Sequence, residues 1–180
     1  MRMHLRGADA TDALGRILAQ TQPAAAVVYL HGDLGAGKST LARAWLRALG
    51  VTGAIRSPTY TLVEHYILPG GRFADGRLAD GGKALHLDLY RIGDAGELEF
   101  LALDDVGPAL WLVEWPERGG DALPAADLRI DLEVAGAGRR AELEAGSAAG
   151  RDWLSRMSKT WGCEPLLNPG DRKLRQPTDN

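Results

Sequence analysis

The sequence predicts an α/β fold in which a central, mainly parallel sheet is flanked by helices and a C-terminal antiparallel hairpin lies at the sheet's edge. Three observations carry that expectation. Ala24 to Leu30 and Ala109 to Val113 are short, wholly apolar runs, as strands buried on both faces of a parallel sheet require. A glycine-rich loop, Gly32 to Ser39, joins the first run to a stretch with the apolar spacing of a helix. Leu128, Ile130, Leu132 and Val134 alternate with other residues, and Ala141, Leu143 and Ala145 do so again beyond Gly136-Ala137-Gly138, which is the pattern of a hairpin.

Taken in order, Ala10, Ala13, Leu14, Ile17 and Leu18 predict a first amphipathic helix, with Asp9 or Thr11 as its N-cap and an end near Pro23. After the apolar strand and the glycine loop, Leu41, Trp45, Ala48 and Leu49 form one face of a second helix that Gly50 stops. Ser57-Pro58 reads as a loop leading into a strand over Thr59 to Tyr66, which is rich in β-branched and aromatic residues. Pro69 to Gly82 is glycine-rich and without periodicity, so a flexible surface loop is expected there.

Leu85, Leu87 and Leu89 then alternate with His86, Asp88 and Tyr90, placing leucines on one face of a strand and functional side chains on the other. Glu97 to Leu103 reads as a short helical segment, and the run from Ala109 is a central strand closed by Glu114-Trp115-Pro116. From about Gly150 the composition turns polar, with a short helix near Trp153 to Trp161 and a mobile tail beyond it. The expected division is therefore one domain over residues 1–149, which carries the glycine-rich loop, and a polar, partly helical or disordered extension over 150–180.

At 180 residues and 19.3 kDa the chain suits one domain with a substantial core. Hydrophobic residues at 45% and charged residues at 25% exclude a wholly disordered or collagen-like chain. A net charge of −3 supplies no field that would draw in a phosphate backbone, so unaided, tight nucleic-acid binding is not expected, and any contact with RNA should be local or shared with a partner. Cys163 stands alone and can form neither an internal disulfide nor a metal cluster at useful spacing. No apolar run is long enough to cross a bilayer, and cytoplasmic residence is expected.

The chemistry concentrates in Gly32-Asp33-Leu34-Gly35-Ala36-Gly37-Lys38-Ser39, which matches the P-loop pattern in full and has the strand–loop–helix setting that the motif requires. Its glycines let successive N–H groups converge on a β-phosphate, and the following helix adds its N-terminal dipole. Lys38 should bridge the β- and γ-phosphates, Thr40 should lie near the α-phosphate, and the Ser39 hydroxyl is the expected ligand of Mg²⁺, a cation that prefers oxygen donors. A P-loop site also needs an acid at the end of a neighbouring strand. Glu114 closes an apolar run and is favoured for the metal; Asp88 is favoured for supporting the metal's ligands from behind or for activating water, although the two assignments can be exchanged.

The P-loop with Thr40, then Ser57-Pro58-Thr59-Tyr60-Thr61-Leu62-Val63-Glu64, His86-Leu87-Asp88-Leu89-Tyr90-Arg91, Glu97-Leu98-Glu99 and Leu112-Val113-Glu114-Trp115-Pro116-Glu117 together resemble the bacterial TsaE (YjeE) ATPases, over roughly residues 5 to 146. The resemblance implies a P-loop NTPase-like fold and an ATPase, weak alone, that is needed to make threonylcarbamoyladenosine next to the anticodon of tRNAs reading codons that begin with A. It implies TsaB and TsaD homologues as partners, with ATP hydrolysis resetting their assembly and tRNA met only through that complex. It also implies that Thr59 faces the γ-phosphate, that Asp88 and Glu114 are essential acids, that Trp115 lies beside the nucleotide and that Arg139 lies near the adenine. Ser39 replaces the threonine of many members and keeps the hydroxyl.

A small-molecule kinase is the main rival, and would need an arginine-bearing lid; Arg72 and Arg77 lie in the glycine-rich loop, but without a helical pattern. A GTPase is disfavoured because no Asn-Lys-x-Asp or Thr-Lys-x-Asp segment is present to read guanine. A binding module that uses ATP only as a structural switch is the third class.

Overall fold

A computed structural model of the chain describes residues 1–58, 61–72, 78–79, 82–101, 103 and 107–161. The elements run β1 (Arg2–Leu5), α1 (Ala8–Thr21), β2 (Ala26–His31), α2 (Lys38–Ala48), β3 (Val63–Leu68), β4 (Gly71–Arg72), β5 (Leu78–Ala79), β6 (Gly82–Asp88), β7 (Leu110–Glu114), β8 (Leu128–Ala135), β9 (Gly138–Ala145) and α3 (Ala148–Trp161). Short 3-10 segments occupy Ala95–Leu101, Pro116–Arg118 and Gly120–Ala122.

Seven strands pair in the order β1-β9-β8-β2-β7-β6-β3. The four inner strands β8, β2, β7 and β6 are mutually parallel, while β9, β1 and β3 add antiparallel strands on either side. The result is a mixed sheet with a parallel centre, as the two apolar runs require. The β8–β9 hairpin lies toward one end of the sheet, but β1 pairs along β9 and takes the outermost place. Its four residues alternate exposed and buried, too short a run to announce a strand by period alone.

Helices α1, α2 and α3 contribute to one apolar core with the inward side chains of the sheet, among them Val28, Leu30, Leu112, Ile130 and Leu143. Gly15 sets how closely α1 approaches α2, because a Cβ there would lie 2.9 Å from the Ala44 backbone. α3 joins the same core. Trp153 is fully buried, meets the Trp45 ring edge to face at 5.5 Å and donates to the Thr21 hydroxyl at 3.0 Å. The division expected between residues 149 and 150 thus falls inside α3, and the shared core continues at least through Met157. Residues 162–180, with Cys163, lie outside the described residues.

The opposite sheet face is covered by 3-10 segments over Leu85, Leu87, Trp111 and Val113. Val27 and Tyr29 on that face are only half-buried, so β2 is fully enclosed on its helix side alone. Two local expectations are corrected. α1 starts at Ala8 with Gly7 as an N-cap that lacks a side-chain bond, which puts Asp9 in the first turn, where its charge suits the helix dipole. Within Pro69 to Gly82, β4 and β5 pair antiparallel and Gly82 opens β6, so backbone pairing extends into a stretch read as a loop. Among the described residues, no helix is long and apolar enough to cross a membrane.

Candidate functional site

β2 delivers the glycine loop to the carboxyl end of the parallel strands, the end at which open α/β sheets bind ligands. Gly32 has φ +131°, and a Cβ there would run into the Leu132 carbonyl oxygen, so only glycine leaves the strand at this angle. Gly37, at φ +110°, is the left-handed N-cap of α2 and carries no side-chain cap. The first-turn N–H groups of α2 thus have no partner within the helix, the arrangement that receives anions. Arg139 pins the loop from β9: its Nε donates to the Ala36 carbonyl at 2.9 Å and its Nη2 to that of Gly35 at 3.2 Å.

The loop and the first turn of α2 line one side of a cleft of about 210 Å³, through Leu34, Gly35, Gly37, Lys38, Ser39 and Thr40. Asp88, Tyr90, Glu114 and Trp115 line it from β6, β7 and the turns after them. Lys38 is 4% exposed; its Nζ donates to the carbonyls of Gly32 at 2.6 Å and Asp33 at 3.0 Å, and lies 4.0 Å from the Trp115 ring centroid. Burial pushes its ammonium below the ordinary lysine value, against the opposing pull of Glu114, Asp88, Glu117 and Asp33. Trp115 holds this position at φ +58°, a conformation that bulky residues rarely adopt, and its ring packs on Tyr90 at 4.9 Å.

The parallel register sets Asp88 directly beside Glu114 at the ends of β6 and β7. Glu114 is 2% exposed and bonded through both oxygens. Its Oε2 accepts from the Ser39 hydroxyl at 2.9 Å, and its Oε1 lies 2.7 Å from His86 Nε2. Asp88 Oδ1 accepts from the Tyr90 N–H at 3.1 Å. Lys38, Ser39, Asp88 and Glu114 are thereby gathered around one cleft, although the last two lie far from the loop in sequence.

Oxygen donors of this kind suit a magnesium ion shared with phosphate. Among the described residues, no group of three or more His, Cys, Asp or Glu could hold a metal ion by itself. The Ser39 hydroxyl and the Glu114 and Asp88 carboxylates are oxygen donors that line the cleft.

Several other sequence candidates behave differently. Thr59 lies outside the described residues. The Arg139 guanidinium donates to the carbonyls of Gly35, Ala36 and Gly138, which ties β9 to the loop. Asp33 and Ala36 contribute backbone carbonyls, the Leu34 side chain is 76% exposed, and the Thr40 hydroxyl accepts from Arg43 at 3.4 Å. Sequence reasoning placed His86 on the functional face of its strand but gave it no role. Its partner becomes visible only through strand register, since it is diagonal to Glu114 across β6 and β7.

Comparison with known proteins gives the family. The family model described as "Threonylcarbamoyl adenosine biosynthesis protein TsaE" matches residues 5–141. The chain is 40% identical over 136 residues to the tRNA threonylcarbamoyladenosine biosynthesis protein TsaE of Haemophilus influenzae, covering 74% of this chain and 79% of that one. It is 35% identical over 130 residues to the protein of the same name from Bacillus subtilis, covering 71% and 74% of the two chains. Among solved structures, the crystal structure of Bacillus subtilis YdiB superposes with a TM-score of 0.70 at 25% identity, covering 89% of this chain and 95% of that one.

Proposed function

The chain belongs to the TsaE family, and on that premise we propose that it is an ATPase of tRNA threonylcarbamoyladenosine biosynthesis that binds ATP with Mg²⁺ at the Gly32–Ser39 loop. One observation carries the reading: the Ser39 hydroxyl on the first turn of α2 donates to the buried Glu114 carboxylate at the end of β7, beside Lys38. A P-loop hydroxyl bonded to a strand-end acid is what the magnesium position of this fold requires.

In this reading the loop N–H groups hold the β-phosphate, and Lys38 exchanges its carbonyl partners for phosphate oxygens. Ser39 Oγ and Glu114 hold the cation, while Asp88, next to Glu114 in register, orients the attacking water and receives its proton. When bound, MgATP supplies the phosphoryl group to be hydrolysed and the positive charge that screens it. Trp115 walls the cleft beside Lys38. Thr59 is assigned to the γ-phosphate from the family resemblance alone.

The same resemblance assigns a TsaB–TsaD assembly as partner, with hydrolysis readying it for another turnover in the cytoplasm. A net charge of −3 favours meeting tRNA through that assembly. The test is phosphate release from ATP, measured with the chain alone and with TsaB–TsaD. Slow release that the partners accelerate and Lys38→Ala removes supports the reading. A phosphorylated metabolite formed from a metabolite pool would instead favour a small-molecule kinase, and hydrolysis untouched by Lys38→Ala would contradict both.

A further inference from the structure

His86 is fully buried in β6, and the functions assigned so far leave it unused. It stands opposite Leu112, two residues before Glu114 on the neighbouring parallel strand, so its ring reaches Glu114 across the diagonal. Nε2 lies 2.7 Å from Glu114 Oε1. Nδ1 is the one buried side-chain nitrogen or oxygen among the described residues that has no hydrogen-bond partner. A proton there would be a buried donor without an acceptor, so the hydrogen bonding assigns the ring proton to Nε2, which donates to Glu114.

The consequence lies in the carboxylate. The terminal torsion of a glutamate is broad and roughly two-fold, so a carboxylate held through one oxygen can rock about that bond. Glu114 is held through both: His86 fixes Oε1, and Oε2 faces the Ser39 hydroxyl. His86 is itself part of a strand paired on both sides, which gives its ring a firm base. We propose that His86 is a positioning residue whose Nε2–H fixes the Glu114 carboxylate so that Oε2 stays at Ser39 and the magnesium position. The inference rests on the MgATP reading and adds to it the residue that orients the metal-holding acid.

The test compares His86→Asn, whose amide is too short to reach Glu114, with His86→Gln, whose longer side chain carries an N–H to about the place of Nε2. Binding of a fluorescent ATP analogue is followed while Mg²⁺ is titrated, so the readout is affinity and not turnover. Loss of a residue that orients a metal ligand typically weakens metal affinity about 10- to 100-fold. His86→Asn should raise the Mg²⁺ requirement by that order, His86→Gln should recover most of the loss, and magnesium-free nucleotide binding should be equal in all three proteins. An unchanged Mg²⁺ requirement in folded His86→Asn, or an equal loss in folded His86→Gln, would overturn the inference while leaving the nucleotide reading intact. Absence of magnesium-dependent binding in the unsubstituted chain would overturn both. Should the variants fail to fold, long-range ¹H–¹⁵N spectra of the unsubstituted protein decide: a proton on Nε2 is expected, and a proton on Nδ1 contradicts the inference.

Discussion

Ser39 and Glu114, 75 residues apart in sequence, meet through a 2.9 Å hydrogen bond from the hydroxyl to Oε2. That bond joins the first turn of α2 to the end of β7, so the anion-binding loop and the acidic strand end act as one site. Its geometry separates what each side chain contributes.

Ser39→Ala removes the hydroxyl and should weaken magnesium-dependent nucleotide binding by roughly 10- to 100-fold, the range for losing support at a metal site. Ser39→Thr keeps the hydroxyl and should stay near the parent. Glu114→Gln should lose magnesium dependence while remaining folded, because the amide fills the same buried volume. Nucleotide titration with and without Mg²⁺ checks all three.

Burial lowers the Lys38 pKa from 10.5, and this has opposite effects on folding and on binding. Between the lowered value and 10.5 the unfolded chain holds more protons at this residue than the folded one. The Lys38 contribution to stability therefore improves as pH rises through that window, and its cost to the fold is fully present below the lowered value. Phosphate binding needs the ammonium, so nucleotide affinity should fall as pH climbs through the same window, by up to about tenfold per pH unit. Lys38→Met should flatten the contribution of this residue to both profiles, as read by urea midpoints and nucleotide affinity across alkaline pH.

Arg139 donates to two loop carbonyls, those of Gly35 and Ala36, from a strand on the far side of β8. Arg139→Ala should loosen the loop and cost roughly tenfold in nucleotide affinity, about 1.4 kcal/mol, with little change in melting temperature. Arg139→Lys should fail to restore the affinity, since a point ammonium cannot reproduce the guanidinium fork.

The Trp45–Trp153 contact makes α3 part of the fold. Trp153→Ala should destabilise the protein by about 3 to 5 kcal/mol. A chain ending at residue 149 should unfold at markedly lower denaturant than one ending at residue 161. Equal denaturation midpoints for the two truncations would show that α3 is dispensable.

Features encoded locally were legible in the sequence. The P-loop could be read because eight consecutive residues specify both backbone shape and chemistry, and β2 and β7 because inner parallel strands leave unbroken apolar runs, although only β7 is buried at every position. Asp88 and Glu114 could be named as strand-end acids, but which one meets Ser39 depends on how α2 sits over β7, and no local pattern encodes that. β1 was too short to show a period, and its pairing with β9 joins residues about 140 positions apart. The helix near Trp153 to Trp161 could be read, but the polar composition after Gly150 hid its start at Ala148 and its docking, because one buried face carrying Trp153 and Met157 is enough to join a helix to the core when its other residues are polar. His86 read only as a polar residue on a strand; its partner exists because β6 and β7 are parallel and in this register.

The most direct measurement is calorimetric titration of ATP into the folded chain, with and without Mg²⁺, beside Lys38→Ala. Saturable uptake that Mg²⁺ strengthens and Lys38→Ala abolishes is the predicted result. Well-folded protein that takes up no ATP in the presence of Mg²⁺, or a Lys38→Ala variant that binds as tightly as its parent, would contradict it.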